Sequence, residues 1–515
     1  MAIATAVLLN GDDLTIADVW SVAVDRTPAA LSDDGRARMA AARELVDRAA
    51  SESSGEHTYG INTGFGRFVS KAIPPELSEE LQLRLLRSHA CGVGEPYPDE
   101  VVRAAMVLRA NALAKGFSGA RVETVELLLE CLNRGVLPVV PSRGSVGASG
   151  DLAPLAHLAL PLVGEGLASY EGEVLAGGDA LARAGLQPVR LQAKEGLSLV
   201  NGTQFMGAVG ALGLVRARRV AQTADIACAL SVEALQGSRV SFMPEIHALR
   251  PLRGQAAAAA NVLRLLQGSA INAAHRWCDK VQDAYSLRCA PQVHGASRDL
   301  LDYVEQTVAV EVNAATDNPL VLVDRGELVS NGNFHGQPVA LALDSMALAL
   351  AELASISERR VERLVNPSLS DGLPAFLTHD GGLNSGFMIP QYVAAALVSE
   401  NKVLCHPASV DSIPTSAGQE DHVSMGNAAG LKCWAVLGNV EHTLAIELLA
   451  AAQGVEFLAP LEPGTGARAA HDFIRSVSPS VMEDRTLSPD IERVAATIRS
   501  GELVAAVEDE VGELS

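Results

Sequence analysis

The sequence predicts a mainly α-helical protein, with a loop-rich helical N-terminal domain followed by a long helix bundle. Three observations carry this. Of the 515 residues, 48% are hydrophobic but only 4% aromatic, with alanine and leucine prominent, which is a helix-forming composition. Residues 252–290, 339–366 and 415–459 contain no proline, so each stretch has room for a helix well beyond the average of about 11 residues. Within the second stretch Leu343, Met346, Leu350 and Leu353 recur at three- and four-residue steps, the buried seam of a bundle helix. Charge collects at its end, from Glu358 to Arg363.

Shorter capped helices fill the first part of the chain. Asp99 opens one that Gly116 can end, and RVETVELLLECLNRG (121–135) stops at Gly135. LVLVDRGELV (320–329) reads as a hairpin with its turn at Asp324 to Gly326. From about Pro460 the chain becomes more charged, and it closes with an acidic helix near 501–514. The length exceeds one ordinary core. The change of pattern divides it into a motif-bearing domain, 1–225, and a long-helix domain with a charged tail, 226–515.

Composition excludes several functions. With 40 Lys and Arg against 61 Asp and Glu, the formal net charge is −21, which repels nucleic acid and anionic membranes and favours a small-molecule partner. The opening MAIATAVLLNGDDLT has no basic segment of a signal peptide, and no apolar run reaches the roughly 18 residues of a membrane span. The expected compartment is the cytoplasm. The seven cysteines are scattered without a C-x-x-C, and the twelve histidines form no H-x-x-x-H pair, so neither a disulfide framework nor a zinc site is expected. No repeat of about 20–50 residues marks a solenoid.

The stretch GSVGASGDLAPLAH (144–157) wedges Ser149 between Ala148 and Gly150. One reading is a tight turn into a helix, with Ser149 or Asp151 as the cap. A hydrolase nucleophile elbow fails, because Asp151 stands where its G-x-S-x-G needs the second glycine. The third reading makes the three residues the substrate of the protein's own chemistry. In a tight enough turn the Gly150 nitrogen can attack the Ala148 carbonyl, and dehydration of Ser149 leaves an electrophilic five-membered ring. No ordinary side chain is a strong electrophile, so a protein must borrow one or build it.

This stretch resembles the signature of the aromatic amino acid ammonia-lyases, whose Ala-Ser-Gly cyclises into 4-methylidene-imidazole-5-one (MIO). The resemblance continues through YGINTGFG (59–66), SHACGVGEP (88–96), KEGLSLVNGTQ (194–204), VQDAYSLRCAPQV (281–293), SNGNFHGQPVA (330–340) and DSIPTSAGQEDHVSMG (411–426), in family order. It implies an MIO-bearing helical domain before a long central bundle, the architecture of the fumarase/aspartase-like superfamily. It also implies homotetramers whose active sites draw on three chains, and MIO formed here from Ala148, Ser149 and Gly150.

Removing ammonia from an α-amino acid requires a proton to leave an unactivated β-carbon, and a base must be held beside it. The resemblance places that base at Tyr59, whose flanking glycines suit a lid as well as a simple aromatic-plugged turn. Gln282, Tyr285 and Arg288, spaced by three, would share a helix face of roughly 120°. Arg288 is the expected carboxylate clamp, since a guanidinium offers two parallel hydrogen bonds, although a surface pair with a glutamate fits the residues alone. The resemblance gives Gln282 a part in substrate binding and Tyr285 one in ring formation and the active-site network. Asn201 offers a donor and an acceptor, for the ring oxygen or the substrate carboxylate, or serves as a cap. Phe334 matches a pocket-lining phenylalanine of the family and otherwise reads as core.

Within the family, Ser88 and His89 resemble the Ser-His pair of the histidine-specific branch, though tyrosine-specific members also use histidine there. Glu420 resembles that branch's glutamate, where phenylalanine and tyrosine enzymes and aminomutases usually carry glutamine. A carboxylate accepts from an imidazole N–H or an ammonium, whereas an apolar ring leaves it unpaired. The resemblance therefore implies elimination of ammonia from L-histidine to trans-urocanate, the first step of histidine degradation. Phenylalanine or tyrosine ammonia-lyases and aminomutases are the rivals on the same scaffold. A fumarase-type hydro-lyase lacks its G-S-x-x-M-P-x-K-x-N loop here, and a non-catalytic helical scaffold leaves Tyr59, Arg288 and the intact Ala-Ser-Gly unexplained. Three positions depart from the common pattern: Ala284 replaces a frequent proline, His294 follows APQV, and Cys91 takes the place of a small residue.

Overall fold

The computed structural model describes residues 6–51, 59–61, 63–64, 66–68, 70–276 and 280–515. Most described residues are helical, and the chain divides into two compact units, each assembled from separate stretches.

The first unit comprises Met1–Val215, Glu305–Asp344 and Pro407–Leu431. Its centre is the helix Asp99–Ala114, buried at every residue from Val101 onward. Asp99 and Glu100 in its first turn complement the helix dipole, and Gly116 just past its end takes φ +82°. The helix Val122–Arg134 ends at Gly135 in the left-handed region, as expected. The helix Ser78–His89 carries the Ser-His pair at its last turn, and Leu152–Ala159 follows the Ala-Ser-Gly segment. The short, wholly buried helix Glu195–Val200 delivers Asn201 as its C-cap.

Strands in this unit are few and short. Val7–Leu9 pairs in parallel with Ala29–Leu31, and Val93–Pro96 pairs antiparallel with Pro141–Arg143. Leu167–Tyr170 lies between Leu137–Pro138 and Glu173–Ala176. The expected hairpin forms from Leu320–Leu322 and Glu327–Val329, with Gly326 at φ +65° in its turn. Val321 joins Leu45, Val46 and Ile61 in a buried cluster, which anchors the segment two residues beyond Tyr59.

The second unit comprises Arg216–Val304, Ser345–His406 and Lys432–Ser515. Most of Gln337–Val365 and Gly426–Glu456, helices of 29 and 31 residues whose first turns belong to the first unit, lies here and occupies two of the proline-free stretches; Leu343, Met346, Leu350 and Leu353 along the former are all fully buried. No unbroken apolar run of membrane length is present, yet by mean hydropathy these two helices pass a length-and-composition test for spanning. Of their apolar windows 67% and 78% are buried inside the protein, as in core helices. A third long helix, Gln204–Ala234, escapes the sequence patterns because it is buried nearly all round and so lacks one apolar stripe. The acidic helix expected near 501–514 is Glu502–Val511.

The first proline-free stretch is a correction. Among the described residues of 252–289 there are three short helices, Arg253–Leu265, Ala270–Ala274 and Tyr285–Arg288, instead of one long one. Gly268 at φ +76° stops the first, and the Ser269 hydroxyl, accepting from the Asn272 N–H, caps the second.

Several buried charges in this unit are paired. Arg216 meets Glu441 through two bonds of 2.9 Å, and Glu447 accepts from Arg360 and from Ser231. His294, one of the unusual positions, is fully buried with Nδ1 2.7 Å from Asp225 Oδ1.

Candidate active site

The Ala-Ser-Gly segment is a tight turn held from three sides. Ser145 Oγ accepts from the Gly147 N–H at 3.1 Å and lies 3.1 Å from the Gly150 carbonyl, closing the loop on itself. Gly150 has φ +76° and forms a parallel bridge with Gly202, and the Asp151 N–H donates to the Gly202 carbonyl at 2.6 Å. A Cβ on Gly150 would stand 2.0 Å from that carbonyl oxygen, so no other residue fits. Gly202 is equally constrained, at φ +153° with an added Cβ 2.5 Å from Arg109 Nη1. Ala148 is buried, whereas Ser149 is half-buried and borders a cavity. A strained turn with no side chain at 150 and a hydroxyl reaching a carboxylate fits the precursor of an MIO ring.

Asp151 corrects one expectation. It stands at the start of the helix Leu152–Ala159 but makes no side-chain cap there. Its carboxylate accepts instead from the Met206 N–H at 2.9 Å, and from that of Phe205, in the first turn of Gln204–Ala234. A carboxylate from the reactive segment thus meets the positive end of this 31-residue helix. Complete burial still pushes the Asp151 carboxyl up to about 7, against the pull of those N–H donors.

The cavity, of about 1000 Å³, brings together Tyr59, Ser88, His89, Ser149, Asn201 and Glu420. The Ser149 hydroxyl donates to Glu420 Oε1 at 3.1 Å, and the Thr415 hydroxyl donates to Oε2 at 2.7 Å. Backbone pairing between Thr415 and Glu420, at 2.8 and 3.3 Å, sets the carboxylate on a small closed loop. Tyr59 accepts from the Gly66 N–H at 3.3 Å, and burial pushes its phenol up, with the Glu420 charge adding to the rise.

Ser88 Oγ donates to the Leu85 carbonyl at 3.0 Å and lies 3.0 Å from His89 Nδ1. The Ser88 hydroxyl and His89 Nδ1 share this contact, with the proton on either side according to the imidazole tautomer. Burial pulls the imidazole below its usual range, and the Leu85 carbonyl and Glu420 pull the other way.

Asn201 differs from expectation in which of its atoms is available. Its Nδ2 donates to the Asn318 carbonyl at 3.1 Å and faces Asp317 Oδ1 at 3.4 Å, while Oδ1 is buried without a protein partner. The open group is the acceptor, not the donor that a substrate carboxylate would need. Arg109, fully buried, holds the same residue by its carbonyl at 2.6 Å, and burial brings its guanidinium down to about 10.

Four expected residues do not line this cavity. Phe334 is half-buried in the turn before Gln337–Val365. Gln282, Tyr285 and Arg288 belong to the second unit. Only Tyr285–Arg288 is helical, so Gln282 does not share a helix face with them, because the helix begins after Ala284. They cluster nonetheless: Arg288 donates to Gln282 Oε1 at 2.7 Å and to the Asp283 carbonyl at 2.9 Å, and stacks 4.6 Å from the Tyr285 ring centroid. These partners are neutral oxygens, not the glutamate of a surface ion pair, and Tyr285 is 71% exposed.

Sequence reasoning missed Thr415, Asn318 and Arg109. Thr415 lies inside a quoted motif, but nothing in its spacing announces a bond to a residue five positions on. Arg109 and Asn318 meet Asn201 only through the fold. Among the described residues, no group of three or more His, Cys, Asp or Glu is placed to hold a metal ion.

Comparison with known proteins supplies the family. A family model for aromatic amino acid lyases matches residues 14–476. The chain is 56% identical over 507 residues to a histidine ammonia-lyase of Gloeobacter violaceus, covering 98% of each. It is also similar to the crystal structure of histidine ammonia-lyase from Trypanosoma cruzi, with TM-score 0.91, 47% identity and 99% and 96% of the two chains covered. Tyrosine aminomutase from Streptomyces globisporus matches with TM-score 0.93 and 37% identity, over 99% of this chain and all of that one. The chain belongs to the aromatic amino acid lyase family, whose enzymes depend on MIO.

Proposed function

We propose that the protein eliminates ammonia from L-histidine to give trans-urocanate, with Ala148, Ser149 and Gly150 as the precursor of its MIO. The observation that carries this reading is the Ser149–Glu420 hydrogen bond of 3.1 Å in a cavity shared with Tyr59, His89 and Asn201. The histidine ammonia-lyases at 56% and 47% identity support the substrate. The aminomutase at TM-score 0.93 makes clear that the scaffold alone does not select it.

MIO supplies the strong electrophile that ordinary side chains lack. The chain's own groups do the rest. Tyr59 takes the proton from the substrate β-carbon, and its raised pKa makes it a strong base once ionised. Glu420 accepts from the imidazole N–H or the ammonium, and His89 lines the same cavity beside it. Arg288 clamps the carboxylate, with Gln282 beside it and Tyr285 supporting ring formation. With Gln282 and Tyr285 exposed and Arg288 half-buried on the second unit, these residues serve the site of a neighbouring copy in a homotetramer, and Phe334 lines that assembled pocket. The acidic chain works in the cytoplasm, without nucleic acid or membrane as a partner.

An ultraviolet assay of L-histidine, L-phenylalanine and L-tyrosine, with Ser149→Ala as control, tests the reading. Urocanate from histidine alone, abolished in the control, is the expected result. Cinnamate or coumarate instead would overturn the substrate, and a β-amino acid product would turn the reading into an aminomutase.

A further inference from the structure

Behind the cavity wall lies a buried ion pair that the chemistry above does not use. Lys194 and Asp317 are both fully buried, and Lys194 Nζ donates to Asp317 Oδ2 at 2.8 Å. The other ammonium protons go to the Ser118 carbonyl at 2.9 Å and to Ser198 Oγ at 3.3 Å. The Ser198 hydroxyl donates to the same Ser118 carbonyl at 2.9 Å, which leaves its lone pairs for Lys194. Lys194 sits at φ +67°, a region that a residue with a side chain enters at a cost. A buried pair of this kind contributes little net stability, because desolvation offsets the attraction, so its cost points to a second role.

That role is visible one bond further on. Asp317 Oδ1 accepts from the Asn318 N–H at 2.7 Å and faces Asn201 Nδ2 at 3.4 Å. Asn201 Nδ2 also donates to the Asn318 carbonyl at 3.1 Å. A half-turn of the Asn201 amide would set its oxygen against a carboxylate and a carbonyl, with no proton among the three. The amide is therefore locked, which leaves Oδ1, buried and without a protein partner, as the one free acceptor on the side chain of a residue that lines the cavity. Asn201 directly precedes Gly202, whose backbone is paired with Gly150, so this acceptor stands beside the segment where the amine must leave.

We infer that Lys194 and Asp317 are positioning residues that hold Asn201 as a hydrogen-bond acceptor for the substrate's ammonium. The inference rests on the amino acid lyase reading.

The test uses the full chain carrying Ser149→Ala, which cannot form the ring and so binds without turnover. Calorimetry compares L-histidine with imidazole-4-propionate, which keeps the ring and carboxylate but has no ammonium. Asp317→Asn can turn its own amide N–H toward Asn201 and release the lock. It is expected to weaken L-histidine about 10- to 100-fold, the worth of a hydrogen bond to a charged group, and to leave imidazole-4-propionate unchanged. Equal losses for both ligands, or loss for neither, would overturn the inference. Should Asp317→Asn fail to fold, Lys194→Met combined with Asp317→Leu removes both charges together and carries the same expectation. If the Ser149→Ala parent binds neither ligand and the unmodified protein makes no urocanate, the lyase reading fails and this inference falls with it.

Discussion

Replacing Glu420 by glutamine removes one charge and almost nothing else. The glutamine keeps the side-chain length and an acceptor oxygen for the Ser149 or Thr415 hydroxyl, which now donate at 3.1 and 2.7 Å. The backbone pairing of Thr415 with residue 420 does not involve the side chain, so the loop keeps its form. What is lost is a charged acceptor for a substrate N–H. A hydrogen bond to a charged group is worth about 1.5–3 kcal/mol against about 1 for a neutral one, so the loss is about 0.5–2 kcal/mol, or about 2- to 30-fold in kcat/KM. Phenylalanine has no ring N–H, so any activity toward it is expected to hold or rise. The Glu420 charge also adds to the rise of the Tyr59 pKa, so its removal lowers that pKa and moves the alkaline rise in rate to lower pH. Initial rates of urocanate formation across about pH 6–10 measure both effects, with ring content checked by absorbance against Ser149→Ala. A Glu420→Gln variant with undiminished kcat/KM for histidine, or with equal losses for histidine and phenylalanine, would refute the role assigned to this carboxylate.

Two further outcomes follow from the same geometry. Tyr59→Phe removes the base while leaving the cavity walls, so kcat is expected to fall by about 10²- to 10⁴-fold with a smaller change in KM, and the alkaline rise in rate to disappear. Asp151 is raised from an ordinary 3.8 to about 7 in the folded protein, which therefore holds that proton more tightly than the unfolded chain. Its contribution to stability is present at low pH and is lost as pH rises from about 4 to about 7. Asp151→Asn keeps an acceptor for the Met206 N–H but cannot ionise. Thermal unfolding followed against pH is expected to show a flatter profile for this variant, and identical slopes would discount the buried carboxylate.

Asp151 illustrates how the reactive segment and the scaffold depend on each other. The residue that follows the Ala-Ser-Gly turn caps a helix more than fifty positions away in sequence, so the turn and the first turn of Gln204–Ala234 are held together. Gly150 and Gly202 meet at the same place because neither leaves room for a Cβ. Together these contacts give the turn a rigid backing, which ring closure between Ala148 and Gly150 requires.

By itself, the sequence determined the helical class, two of the long proline-free helices, the hairpin at 320–329 and the residues around the cavity. These are local matters. Helix seams repeat at short steps, glycine marks turns, and the Ala-Ser-Gly segment, which alone reads as well as a capped turn, gains its chemical meaning from the motifs that accompany it. Tertiary structure alone decided the rest. The helix Gln204–Ala234 is buried on nearly every face and so shows no stripe to read. Gln282 left its expected helix face because the helix begins only at Tyr285. The return of residues 305–344 and 407–431 to the first unit brings Asn318 and Glu420 to Ser149, and no spacing along the chain encodes that meeting. Which atom of Asn201 is left without a partner depends on Asp317 and Asn318, 116 and 117 positions away, because an amide is oriented by its partners and not by its neighbours in sequence.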